Sequence, residues 1–230
     1  MLRSLRYGEA DRILHVYTPF HGRLGAIAKG VRRTRSRFGG RLEPLTRVEL
    51  ELHRGRGDLH TVTGADTVDP FRRLREDGGA LDAAVRACDA VARLFDSDEA
   101  HPEVFNLLCN ELALLDRAPA AATLANQLAF RLKLLLAAGF APQLAACASC
   151  GEREGLQGFS GAAGGVVCGA CEATAFPLDE AAHAFLTGAV GAPLADAPDA
   201  PPRALAQAER AINATVEHHA HVRLRAASGG

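Results

Sequence analysis

Between residues 13 and 63, apolar residues come in short runs separated by Gly, Pro and charge, and they alternate rather than recur at helical spacing. Segments 13–18, 24–28, 48–52 and 59–63 are rich in aliphatic and β-branched side chains. Val48, Leu50 and Leu52 interleave with Glu49, Glu51 and His53, the period of a strand with one buried face. Arg54-Gly55-Arg56-Gly57-Asp58 has the composition of a hairpin loop. Four or five short strands with no helix among them predict a small barrel of the OB or SH3-like kind.

At Asp69-Pro70 the period changes. Leu81, Val85, Cys88, Ala92 and Phe95 recur at helical spacing, and so do Val104, Leu107, Leu108, Glu111, Leu112 and Leu115. A third helix over 124–138 carries Leu128, Leu132, Leu135 and Leu136 and stops at Gly139, with Pro142 beyond. Two more are expected at 179–188 and 202–224, and a frayed tail at 226–230. The fold class is therefore α+β, with a small barrel over 1–72 and a helical bundle over 73–145 and 179–225. A small module over 146–178 interrupts the bundle. No apolar run is long enough for a membrane span and no leader-like segment opens the chain, so a cytoplasmic protein is expected.

The interrupting module contains four of the six cysteines. Cys147-x-x-Cys150 and Cys168-x-x-Cys171 are separated by 17 residues, a spacing that suits a structural Zn²⁺ site. Each tight knuckle presents two thiolates, and a hairpin through 156–159 and 166–168 would bring the pairs together as a tetrahedron. The competing readings are two redox pairs or four buried thiols. The first is disfavoured in a reducing compartment, the second in Gly-rich loops. Four thiolates leave no open coordination position, so the metal would be structural. Cys88 and Cys109 lie on apolar helix faces as core residues. His101-Pro102-Glu103 superficially matches a zinc-deaminase signature, but Ala146 stands where that signature has Pro, and a second Cys pair would be left unused. A helix start, with Pro in the first turn and Glu103 at the positive end of the dipole, explains those residues better.

Charge changes the picture more than composition does. The net charge of the 230 residues is −1. Residues 1–76 nevertheless hold 16 Lys+Arg against 9 Asp+Glu, and the remainder is acidic. Lys29, Arg32, Arg33, Arg35, Arg37 and Arg41 place six cations in 13 residues without an acid, with Gly, Ser and Thr between them. A cationic loop beside a barrel suits a phosphate backbone, with Phe38 as a stacking face. The alternative is a solvated charge run, which six uncompensated cations make less attractive. His218 and His221 would share a face of the last helix, but no third ligand accompanies them, so a half-packed histidine cluster is expected. Two function classes lead, a nucleic-acid-binding protein and a barrel-and-zinc-ribbon adaptor within a transcription or translation assembly, with a hydrolase or deaminase a distant third.

Several motifs then resemble, in order, those of the RecO family of bacterial recombination mediators. Tyr7-Gly8-Glu9-Ala10-Asp11-Arg12-Ile13-Leu14 resembles the family's first-strand signature. Ala28-Lys29-Gly30-Val31-Arg32-Arg33, Ser36-Arg37-Phe38-Gly39-Gly40 and Leu42-Glu43-Pro44-Leu45 resemble its basic loop. The helix from Phe130 to Leu136, Gly139-Phe140-Ala141-Pro142-Gln143-Leu144 and Cys147-Ala148-Ser149-Cys150-Gly151 resemble its helix-to-zinc junction. The resemblance implies an OB-fold, a helical domain and a Cys₄ zinc module. It also implies binding of ssDNA and dsDNA, annealing of complementary strands, and loading of RecA with RecR onto DNA coated with single-strand-binding protein (SSB). SSB would be engaged through its acidic C-terminal tail, for which Arg131 and Lys133 are the cations in the matching helix. The family has more residues before Tyr7-Gly8-Glu9, so a shortened first strand and an imperfectly closed barrel are expected.

Overall fold

The structure, a computed structural model, describes residues 1–33, 36, 38, 40–55, 57–171 and 175–227. The chain forms two compact units, Met1–Pro119 and Ala120–Gly230.

In the first unit, β1 (Arg3–Tyr7), β2 (Asp11–Thr18), β3 (Gly22–Ala28), β4 (Arg47–Arg54) and β5 (His60–Asp69) form one sheet in the order β1-β2-β3-β5-β4. All pairings are antiparallel except β3 with β5. Alternation decides the faces. Leu14, Val16, Ala26, Ala28 and Val62 point inward and are at most 4% exposed, and the half-buried Leu50 and Leu52 pack against them. β1 is five residues long and is paired along its length with β2. The Tyr7–Leu14 motif straddles the turn between them: Tyr7 ends β1, and Gly8, at φ +54°, turns the chain. The ammonium of Met1 donates to the Thr46 carbonyl (2.7 Å) and the Leu45 N–H donates to the Met1 carbonyl (2.9 Å). Main chain before β1, at one edge of the sheet, thus meets main chain entering β4 at the other.

α1 (Gly78–Leu94) is capped by Asp77, which accepts from the Ala80 N–H, and α2 (Pro102–Arg117) starts at Pro102 as expected. The face of α1 departs from expectation. Its buried stripe is Ala80, Ala83, Ala84, Ala87, Cys88, Ala90 and Val91, while Val85 is 40% exposed. By contacts, α1 and α2 group with the barrel strands, whereas periodicity alone drew the division at residue 72.

In the second unit, α3 (Leu124–Ala137), α4 (Glu180–Gly191) and α5 (Pro202–His219) pack around Leu128, Leu132, Leu135, Phe185, Ile212 and Val216. Thr123 and Asp179 cap α3 and α4. Gly139, at φ +77°, ends α3 where the sequence places it. Between α3 and α4 lies a small sheet of β6 (Leu156–Ser160), β7 (Gly165–Cys168) and β8 (Phe176–Pro177), ordered β7-β6-β8. α5 ends at His219 rather than 224. His221 lies beyond the helix at φ +54°, so it does not share a helical face with His218. Among the described residues, no helix is long and apolar enough to cross a membrane.

Candidate nucleic-acid interface and metal centre

The basic segment leaves β3 at Ala28. Gly30, at φ +66°, turns it, and its N–H donates to the Asp11 carboxylate (2.7 Å). The Arg32 N–H donates to the Ala10 carbonyl (2.9 Å), and the Arg32 guanidinium to the Glu9 carbonyl (3.1 Å). These bonds tie the start of the segment to the β1–β2 turn. Lys29, Arg32, Arg33 and Arg41 are exposed. Arg35 and Arg37 lie outside the described residues.

Phe38 overturns the expectation of a stacking face. Its ring is 1% exposed and packs with Leu14, Val16, Ala26, Ala28, Leu42 and Val62 in the barrel core. An aromatic ring gains more from full burial in an apolar pocket than from exposure, and this one plugs the barrel. With Leu42, also 1% exposed, it fastens the cationic stretch at its far end. Arg12, at the start of β2, pairs with Glu43 (3.0 Å), tying that end again to the sheet. The exposed aromatic of this region is Tyr7, 53% exposed at the end of β1. In the sequence it is legible only as a member of the resemblance motif, because exposure depends on what packs above it.

The second unit gathers all four expected cysteines. The Sγ atoms of Cys147, Cys150, Cys168 and Cys171 lie within 4.8 Å of one another, and Cys150 and Cys168 are 3.8 Å apart. In a tetrahedron of Zn–S bonds of about 2.3 Å, adjacent sulfurs lie about 3.8 Å apart, so the four thiols fit a metal ion of that kind. Each knuckle is built locally: the Gly151 N–H donates to the Cys147 carbonyl and the Cys171 N–H to that of Cys168. The Cys168 N–H donates to the Cys147 sulfur (3.4 Å), the largest influence holding that thiol down at about 6. Cys171 is pushed up to about 12, first by its contact with the Cys150 thiol. By contrast, Cys88 is buried, and burial pushes its thiol up to about 11, as expected of a core residue.

The two cations of α3 have different settings. Arg131 is 3% exposed; its guanidinium lies 3.5 Å from the Glu209 carboxylate and donates to the Arg225 carbonyl (2.6 Å). Lys133 is half-buried, and its ammonium donates to the Val190 carbonyl at the end of α4 (3.0 Å). Of the histidines at the end of α5, His219 stacks on Phe140 with ring centres 5.7 Å apart.

Comparison with known proteins covers both units. Residues 1–71 match the family described as Recombination protein O N terminal, and residues 75–227 match Recombination protein O C terminal. A protein of Rubrobacter xylanophilus named DNA repair protein RecO is 40% identical over 228 residues, which covers 96% of this chain and 90% of that protein. Proteins of the same name from Anaeromyxobacter dehalogenans and Myxococcus xanthus are 37% and 34% identical. Each alignment covers 98% of this chain, and 91% and 92% of the respective relative.

Proposed function

The chain belongs to the RecO family, and on that premise we propose that it is a recombination mediator in DNA repair. It binds single- and double-stranded DNA, anneals complementary strands and, with RecR, helps to load RecA onto strands coated with SSB in the bacterial cytoplasm. The observation that carries this reading is the set of exposed cations at Lys29, Arg32, Arg33 and Arg41, on a segment held at both ends by the barrel. Cations on a fixed frame neutralise phosphates without reading bases, and no covalent step is required. Two strands held on one cationic surface repel each other less and meet at a higher local concentration, which speeds annealing. Arg35 and Arg37 belong to the same stretch and add to its charge.

Cys147, Cys150, Cys168 and Cys171 hold one structural Zn²⁺. Bound there, it cross-links two knuckles in a module with little core of its own and has no position open to substrate. Of the two cations of α3, Arg131 and Lys133, the proposed contact for the SSB tail is Lys133. Lys133 is the one a partner's carboxylate can reach, and Arg131 supports the helix that presents it.

The test is annealing of two complementary oligonucleotides coated with the cognate SSB. Wild type is compared with Lys29→Ala/Arg32→Ala/Arg33→Ala after both are shown to be folded. Wild type should anneal the strands and the triple variant should not. Failure of folded, zinc-loaded wild type to bind DNA without a partner protein would overturn the reading.

A further inference from the structure

Strand register sorts the outer face of the β1–β2–β3 sheet into rows. Ser4, Leu14 and Ala26 face inward across the three strands, so Leu5, Ile13 and Ile27 face outward in the next row. Tyr7 pairs with Asp11 and continues that outward face at one end; Arg3, His15 and Gly25 continue it at the other. The two ends differ. Farther along β2, Tyr17 is 6% exposed beneath Phe95, and the Arg23 N–H donates to the Ser97 carbonyl, so the connection between α1 and α2 closes that end. At the other end Leu5 is 36% and Tyr7 53% exposed.

Charge identifies what the open end suits. The turn after Tyr7 is the one that Arg32 and Gly30 bind through Glu9, Ala10 and Asp11, so Tyr7 adjoins the start of the cationic segment. Phe20 is more exposed still, at 75%, but sits on the β2–β3 turn. There Gly22 closely approaches the main chain of Ser97, Asp98 and Glu99, in an acidic stretch that repels phosphate. Glu9 is exposed in that turn and Asp11 lies opposite Tyr7, its carboxylate accepting the Gly30 N–H, but Lys29, Arg32 and Arg33 outnumber them, so the two exposed rings differ in electrostatic setting. An unpaired base offers a flat face to stack on an aromatic ring while its phosphates seek cations, and Tyr7 supplies the ring where the cations are.

We propose that Tyr7 is a stacking platform for an unpaired base of single-stranded DNA whose adjoining phosphates lie on Lys29, Arg32 and Arg33. The inference rests on the DNA-binding reading above and adds a contact that distinguishes single strands from duplex, in which both faces of each base are already stacked.

The chain has two tyrosines and no tryptophan, and Tyr17 is buried, so a change in intrinsic fluorescence on DNA binding chiefly reports Tyr7. Titration of the full chain with oligo(dT) should quench that emission. Tyr7→Phe should bind within about twofold of wild type while losing the quench, since the ring remains and the reporter is gone. Tyr7→Ala should weaken oligo(dT) binding roughly five- to hundred-fold. Duplex affinity and the slope of affinity against salt should be unchanged, because stacking releases no counterions. Phe20→Ala should behave as wild type. Unquenched wild-type emission at saturation, unaltered oligo(dT) affinity in Tyr7→Ala, or equal losses for single strands and duplex would each overturn the proposal. If Lys29→Ala/Arg32→Ala/Arg33→Ala still loses binding in those cases, the DNA-binding reading survives. A folded wild type that binds no DNA overturns both.

Discussion

Phe38 stands among six cations, yet its ring packs in the barrel core, 1% exposed. A loop fastened in this way presents its charges from a fixed base and loses less entropy on binding than a free one. Arg131 is a second residue whose surroundings redefine it. Its carboxylate partner, Glu209, also accepts the Ala227 N–H (2.6 Å), so the pair ties the segment after α5 to the bundle. Removing one member of a buried pair strands the other, and Arg131→Ala should cost about 3 kcal/mol of stability. Urea unfolding followed by circular dichroism would measure it; an unshifted midpoint would show that the pair does not hold the segment. Lys133→Ala should leave the midpoint in place and weaken binding of an SSB-tail peptide. His15 gives a pH dependence. Burial, then Arg23 and Arg3, hold its pKa below the ordinary 6.5. The unfolded chain therefore binds this proton better than the folded one. Its contribution to stability is complete above pH 6.5 and is lost as pH falls through the folded value. Melting temperature should fall more steeply on acidification for wild type than for His15→Gln, and parallel curves would refute this.

Among the elements, legibility followed how local the determinant was. The cysteine knuckles and the β6–β7 hairpin were readable because ligand spacing, turn glycines and two short apolar runs all lie within 25 residues. α2 was readable because its apolar residues are large: Val104, Leu108, Leu112 and Leu115 are buried as the period requires. α1 was not, because alanine is apolar enough to bury and small enough to expose. The stripe that packs is the one that lets its neighbours come close, and periodicity cannot choose it. The cysteine-bearing element carries its own prediction. Atomic absorption should find one zinc per chain, lost in Cys147→Ser/Cys150→Ser. Chelation should open 147–171 to proteolysis while the amides of β2 and β3 keep their protection from hydrogen exchange. Zinc retained by the double variant would overturn the assignment.

For the whole molecule, the division of charge sets how DNA binding responds to salt. If about five phosphates are neutralised, log affinity should fall against log salt with a slope near −4. Between 50 and 200 mM salt that is a loss of roughly 250-fold, measurable by fluorescence anisotropy. A flat response would refute an electrostatic interface. The excess of cations before residue 76, the cysteine spacing, the change from strand to helical period at Asp69-Pro70 and the family motifs are properties of the chain as written. Sequence alone therefore determined the fold class, the cysteines that cluster, the charged segment and the family. Tertiary structure alone decided that Phe38 is core and Tyr7 surface, that Arg131 is spent on Glu209, and that α1 and α2 group with the barrel. The physical reason is that spacing and charge are carried by neighbours along the chain. Burial and pairing depend on residues distant in sequence, and those become neighbours only once the chain has folded.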